Sequence, residues 1–108
     1  MEMKELLDFV EVESGRLTKY YGSDSDDDKK ILLRTVKLNE EMGELCEAVL
    51  SYFNSQRKEK LVGFDKSDLD DEFADVIITT LLLAKVMDVD VGKALEKKVD
   101  KINGRYED

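Results

Sequence analysis

From Leu69 to Met87 the chain reads LDDEFADVIITTLLLAKVM, and on a helical wheel its apolar residues leave little room for a polar face. Leu69, Phe73, Val76, Leu83 and Met87 share one side, while Ile77, Ile78, Leu81 and Leu82 cover most of the remainder. A helix that is apolar nearly all round has to be covered on several sides. One chain of 108 residues can hardly do this alone, since a domain of that size buries only about two thirds of its unfolded surface. The segment therefore predicts a helical protein whose core is completed by further copies, as a homodimer or homotetramer.

The rest of the chain agrees with an all-α, four-helix bundle. It has no proline, six glycines and abundant Leu, Lys and Glu, a composition that favours long helices over a turn-rich sheet. The loose apolar periodicity of residues 2–22 predicts a first helix, with Gly22 placed to end it. A second helix is expected over 29–55, a third from an N-cap at Ser67 to Met87, and a short fourth from Val91 to Ile102, stopping near Gly104. The chain reads as a single domain, 1–108, with an N-terminal helix (1–22) ahead of a motif-bearing core (29–106). Between the first two helices lies SDSDDDKK, with acids at 24, 26 and 28. A calcium loop of that start needs glycine at its sixth place and glutamate at its twelfth. Those places hold Lys29 and Thr35, so the run reads as a solvated linker that caps the next helix.

Charge and composition exclude several functions. With 17 Lys+Arg against 26 Asp+Glu, a net charge of -9 makes nucleic acid a poor partner. The apolar run at 76–84 is too short to span a bilayer, and the acidic start MEMKELLDFVEVE lacks the basic-then-apolar order of a signal peptide. A soluble, cytoplasmic protein is expected. The single cysteine, Cys46, excludes an internal disulfide framework and reads as a small core residue, as Phe9, Tyr20, Tyr21 and Phe53 read as packing aromatics. There is no histidine, which removes Ser-His and Cys-His nucleophiles and most catalytic zinc sites.

Two acid pairs stand apart from this background. On the second helix Ile31, Leu38, Met42, Leu45, Val49 and Phe53 form an apolar stripe. Glu40 and Glu47 lie almost opposite it, whereas Glu41 and Glu44 border it, with Lys37 and Ala48 beside them. Gly43 between them suggests that something approaches this helix closely. The third helix repeats the spacing with Glu72 and Asp75, next to Thr79, while Asp68, Asp70 and Asp71 suit a helix N-terminus and read as structural. A lone Glu-x-x-Glu is usually solubilising. Two such pairs on core-bordering flanks of helices packed antiparallel would gather four carboxylates that repel unless a cation joins them. All-oxygen donors suit Mg²⁺, with Mn²⁺ as a second possibility.

The segments KLNEEMGELCEAV and DEFADVIITTLLLAKVMDVDVGKALEKKVDKINGRY resemble the MazG-type all-α nucleoside triphosphate pyrophosphohydrolases, a group similar in architecture to dimeric dUTPases and phosphoribosyl-ATP pyrophosphatases. The resemblance covers about residues 30–106 and rests on Glu40-Glu41-Met42-Gly43-Glu44 and Glu72-Phe73-Ala74-Asp75. It implies Mg²⁺-dependent hydrolysis of a nucleoside triphosphate, a dNTP or non-standard NTP, to monophosphate and pyrophosphate, in the service of the nucleotide pool. It also implies that Glu41, Glu44, Glu72 and Asp75 are metal ligands and catalytic residues. Lys98, Lys101, Asn103 and Arg105 near the last helix, together with Lys37, become candidates for binding the substrate. The chain has no tryptophan, so base preference stays open. Two alternatives stand beside this reading: a non-catalytic helical dimerisation module, and a specialised dUTP, dCTP or phosphoribosyl-ATP hydrolase.

Overall fold

A computed structural model of the chain describes residues 1–22, 26–58 and 66–106. Ser23, Asp24 and Ser25 of the acidic linker, and Glu59, Lys60 and Gly63 of the expected second loop, lie outside the described residues. The order is α1 (Met3–Tyr20), α2 (Asp27–Lys58), α3 (Lys66–Val86) and α4 (Val91–Gly104), with no strand among the described residues. No described helix is long and apolar enough to cross a membrane.

Local chemistry sets most of the helix ends. Gly22 takes φ 61, and the backbone N–H groups of Tyr21 and Gly22 donate to the carbonyls of Leu17 (3.0 Å) and Lys19 (3.2 Å), which closes α1. Asp26 accepts the Lys29 backbone N–H at 3.0 Å and Asp90 accepts that of Lys93 at 3.1 Å, so α2 and α4 each begin on an aspartate cap. At the end of α3, Asp88 adopts φ 55, a left-handed conformation that aspartate tolerates better than most residues. Two ends differ from the sequence reading. The second helix continues to Lys58 through Ser55-Gln56-Arg57-Lys58, of which the last three are strong helix formers. The third begins at Lys66, so Ser67 falls inside the first turn instead of capping it.

The core lies where α1 meets the C-terminal half of α3. Val10, Leu81 and Leu82 are buried there, with Leu6, Leu7, Leu17, Ile78 and Val91 packed against them. On α2 the inward residues are Ile31, Arg34, Leu38, Glu41, Leu45, Ala48 and Tyr52, a run of alternating three- and four-residue steps. The buried face is thus rotated from the expected stripe: Met42 (50% exposed) and Phe53 (53%) look outward, while Arg34 and Glu41 look in. Glu41 stands beside Glu72 and Asp75, and Arg34 shares a cleft with Ile78 and Leu82, so α2 and α3 run antiparallel.

Much apolar surface is left uncovered by a single chain. Phe73 and Ile77 on α3 are exposed, as are Leu95, Val99 and Ile102, which form one face of α4. The Cα radius of gyration is 17.3 Å, against about 13 Å for a compact chain of this length. Cys46 is exposed rather than part of the core, and Phe9, Tyr20, Tyr21 and Phe53 are likewise exposed. Among the described residues the main packing runs through α3, against α1 and α2. Gly43 also differs, since nothing lies within 4 Å of where a β-carbon would sit. Among the described residues nothing requires glycine there.

Candidate metal centre and adjoining cleft

Antiparallel packing of α2 on α3 carries Glu41 to the same place as Glu72 and Asp75, which sit about one turn apart on α3. One carboxylate oxygen from each of the three lies within 4.8 Å of the others. Glu41 is 7% exposed, Glu72 is partly buried, and Asp75 opens to solvent. Oε2 of Glu41 and Oε2 of Glu72 are both buried without a hydrogen-bond partner among the described residues. Glu44, one turn beyond Glu41, is exposed and stands outside the group of three, yet its charge reaches Glu72.

The electrostatics follow from crowding like charges at a half-dry surface. Burial pushes the Glu72 carboxyl above its ordinary value, and the charges of Glu44, Asp75, Glu41 and Asp71 push in the same direction. Asp75 is raised by burial and then by Glu41 and Asp71, while Lys37 pulls it back. Lys37 bridges the pair on α2: its Nζ lies 3.2 Å from Oε1 of Glu41 and 3.5 Å from Oε2 of Glu40. Its ammonium is held above its usual value, chiefly by the hydrogen bond to Glu41. The hydroxyl of buried Thr79 donates to the Asp75 carbonyl, which satisfies a polar side chain inside α3 and braces the turn that carries Asp75.

Do these residues fit a divalent cation? Buried carboxylate oxygens without donors, facing other carboxylates, are destabilising unless a positive charge meets them. The donor set is hard oxygen throughout, and its atoms lie near enough together to approach one cation. The chemistry of the donors suits a hard divalent cation. Glu41, Glu72 and Asp75 are the residues that can hold it, with Glu44 beside them.

A cleft of about 330 Å³ opens from this centre along α2, within the range typical of ligand pockets. Its near end is lined by Lys37, Glu40, Glu41 and Asp75, and its far end by Glu13, Leu17, Tyr21, Leu33 and Arg34, with Ile78, Thr79 and Leu82 as the α3 wall. Arg34 is only 4% exposed, and its Nε and Nη2 find no hydrogen-bond acceptor among the described residues. Burial lowers its guanidinium from the usual value, against the opposing influence of Tyr21 and Glu13. Sequence reasoning passed over Arg34 and Glu13, and read Tyr21 as a packing aromatic, whereas it lines the cleft. The available signal was an arginine seven residues before Glu41, in the three-four register of the inward face.

A family model described as the MazG nucleotide pyrophosphohydrolase domain matches residues 30–108. The chain belongs to this family. Comparisons with curated proteins and with solved structures gave no match. The matched span contains the whole carboxylate cluster, whereas α1, which supplies Glu13, Leu17 and Tyr21, precedes it. MazG proteins hydrolyse nucleotides with release of pyrophosphate and are typically metal-dependent, in keeping with the donor set described above. The remaining residues suggested for substrate binding stand elsewhere in this MazG chain: Lys98, Lys101, Asn103 and Arg105 are exposed on or just after α4, and none lines the cleft. Asp75 sits at the middle of α3 and α4 follows its C-terminal end, the eleven residue steps from Asp75 to Val86 extending about 16 Å.

Proposed function

We propose that this protein hydrolyses a nucleoside triphosphate, a dNTP or a non-standard NTP, to the monophosphate and pyrophosphate in an Mg²⁺-dependent reaction. The observation that carries this reading is the convergence of Glu41, Glu72 and Asp75 within 4.8 Å, two of them with buried, unpartnered oxygens, in a chain of the MazG family. Glu41, Glu72 and Asp75 hold the cation, and Glu44 adds charge from one turn along. A bound Mg²⁺ supplies charge neutralisation for the phosphates and lowers the pKa of a water molecule. Lys37, held against Glu41, offers its ammonium to a phosphate oxygen at the mouth of the cleft.

The same reading includes an oligomer. The uncovered faces of α3 and α4 and the open shape of one chain support a dimer or tetramer in which these faces are packed. In that arrangement Lys98, Lys101, Asn103 and Arg105 act from the α4 of a neighbouring copy, since within one chain they stand apart from the cleft. The protein then works in the cytoplasm on small phosphorylated substrates, without nucleic acid or membrane as partner.

The experiment is pyrophosphate release from a panel of standard and modified NTPs and dNTPs, with and without Mg²⁺, with Glu41→Gln as control. Metal-dependent formation of pyrophosphate and monophosphate, absent in the variant, is the expected result. A folded, metal-loaded protein that releases pyrophosphate from no nucleotide would overturn the reading and favour a helical interaction module.

A further inference from the structure

Arg34 is the least explained group in the molecule. Burying a guanidinium without acceptors for its N–H groups is strongly unfavourable, yet Arg34 is 4% exposed with Nε and Nη2 unpartnered. These two groups form one side of the guanidinium fork, which matches two adjacent acceptors on a planar partner. They belong to a residue that lines a cleft continuous with the carboxylate cluster, two helical turns from Glu41, or about 10 Å along the helix.

The surroundings decide between a phosphate and a base as that partner. Around Arg34 the cleft is lined by Leu17, Leu33, Ile78 and Leu82, and it also contains the Glu13 carboxylate. An extended polyphosphate would gain little from the aliphatic walls and be repelled by Glu13. A flat heteroaromatic ring gains from both, because its faces are apolar and its edge carries N–H groups that a carboxylate accepts. The Glu13 side chain is 29% exposed and its Oε1 lies 3.5 Å from Nη1 of Arg16, which steadies the carboxylate from outside.

We propose that Arg34 and Glu13 read the nucleobase, and that the cleft selects a base whose edge presents two adjacent acceptors followed by a donor. Cytosine has this order in O2, N3 and the 4-amino group, and guanine in N7, O6 and N1–H. Adenine and uracil or thymine alternate donors and acceptors, so neither offers the fork two adjacent acceptors. Arg34 donates Nε–H and Nη2–H to the acceptor pair, and Glu13 accepts from the following N–H. This selectivity rests on the nucleotide reading above and deepens it. Glu13 lies on α1, outside the span matched by the family model, so the family match does not itself supply this half of the base contact.

The test is equilibrium binding of α,β-imido analogues of dATP, dCTP, dGTP and dUTP to wild type, Arg34→Met, Arg34→Lys and Glu13→Gln. Wild type should bind the cytosine and guanine analogues about 10- to 100-fold more tightly than the other two. Arg34→Met should erase that difference while leaving the weaker pair and the affinity for Mn²⁺ unchanged and the melting temperature no lower, since a buried group without acceptors is removed. Glu13→Gln should narrow it. Equal weakening of all four analogues in Arg34→Met would make Arg34 a phosphate ligand and overturn the proposal. A preference for adenine or uracil in wild type would do the same, as would a preference untouched by the substitution. Lower melting temperatures in both Arg34 variants would make the guanidinium structural and sink it equally. Turnover is read separately: base-ranked binding without hydrolysis defeats the proposed reaction alone, and hydrolysis without ranked bases defeats only the base reading.

Discussion

Lys37 Nζ lies 3.2 Å from Oε1 of Glu41, while the other oxygen of the same carboxylate, Oε2, is buried and unpartnered. The two oxygens of one glutamate are thereby treated differently: an exposed lysine one turn earlier holds one, and the other is left without a donor. The lysine side chain is 56% exposed, so the ion pair itself contributes little to folding. Lys37→Met should change stability by at most about 0.5 kcal/mol. Its effect on function should be larger: KM for the triphosphate rising several-fold with kcat nearly kept, since a cation is lost where the phosphates enter. Steady-state kinetics on the best substrate of the panel, beside a thermal melt, separates the two. A fall in kcat at constant KM would place Lys37 in the chemistry itself.

Glu41→Gln and Asp75→Asn should each abolish Mg²⁺-dependent turnover and leave helicity by circular dichroism unchanged. Both substitutions keep size and hydrogen-bonding reach while removing a charge that a cation needs. Wild type should also gain thermal stability from Mg²⁺ or Mn²⁺, by about 2.7 kcal/mol when the ion is at 100 times its dissociation constant. Neither variant should match that gain. Full activity in one of them removes that residue from the centre.

Metal-free protein should become more stable on mild acidification. Glu72 and Asp75 have carboxyls raised by burial and by neighbouring acids. Below the unfolded pKa, about 4, both states are protonated and no penalty exists. As pH rises past it the unfolded chain ionises first, and the native state loses stability until its own raised pKa values are passed. The melting temperature without metal should therefore fall across this weakly acidic window, and Glu72→Gln should flatten the slope. With saturating Mg²⁺ the trend should reverse, because protons compete with the ion for the same oxygens. A metal-free melting temperature that climbs through that window would show that other groups dominate.

Parts of this arrangement were legible from residues alone and parts were not, for physical reasons. Gly22 and the acidic run before α2 mark helix ends because capping is a local event. Glu72 and Asp75 were legible because an acid pair beyond the first turn of an apolar helix has no local explanation. The inward face of α2 was harder. A wheel centred on aliphatic residues places Met42 and Phe53 inside, whereas the packed face carries Arg34 and Glu41, polar groups that packing alone would exclude. Nor could periodicity show that α1 would supply Val10 to the core and Glu13 to the cleft, since that depends on which helix docks against α3.

The exposed face of α4 leads to a sharper test of assembly. Leu95, Val99 and Ile102 are spaced as one helical face and remain uncovered, while Lys101 and Arg105 on the same helix stand away from the carboxylates. If a second copy covers that face, light scattering at micromolar concentration should give at least twice the 12.4 kDa of one chain. Val99→Asp should dissociate it, because a charge at the centre of an apolar contact has no partner there. The same packing would share the active site between copies. Glu41→Gln removes a proposed metal ligand, and a Lys101→Ala/Arg105→Ala double variant removes side chains proposed to meet the phosphates. Each should be inactive alone, and mixing them should restore activity, because a mixed pair contains one site with intact carboxylates and an intact neighbouring α4. A mixture that stays inactive despite proven subunit exchange would return those basic residues to a structural role and leave Lys37 as the lysine of the cleft.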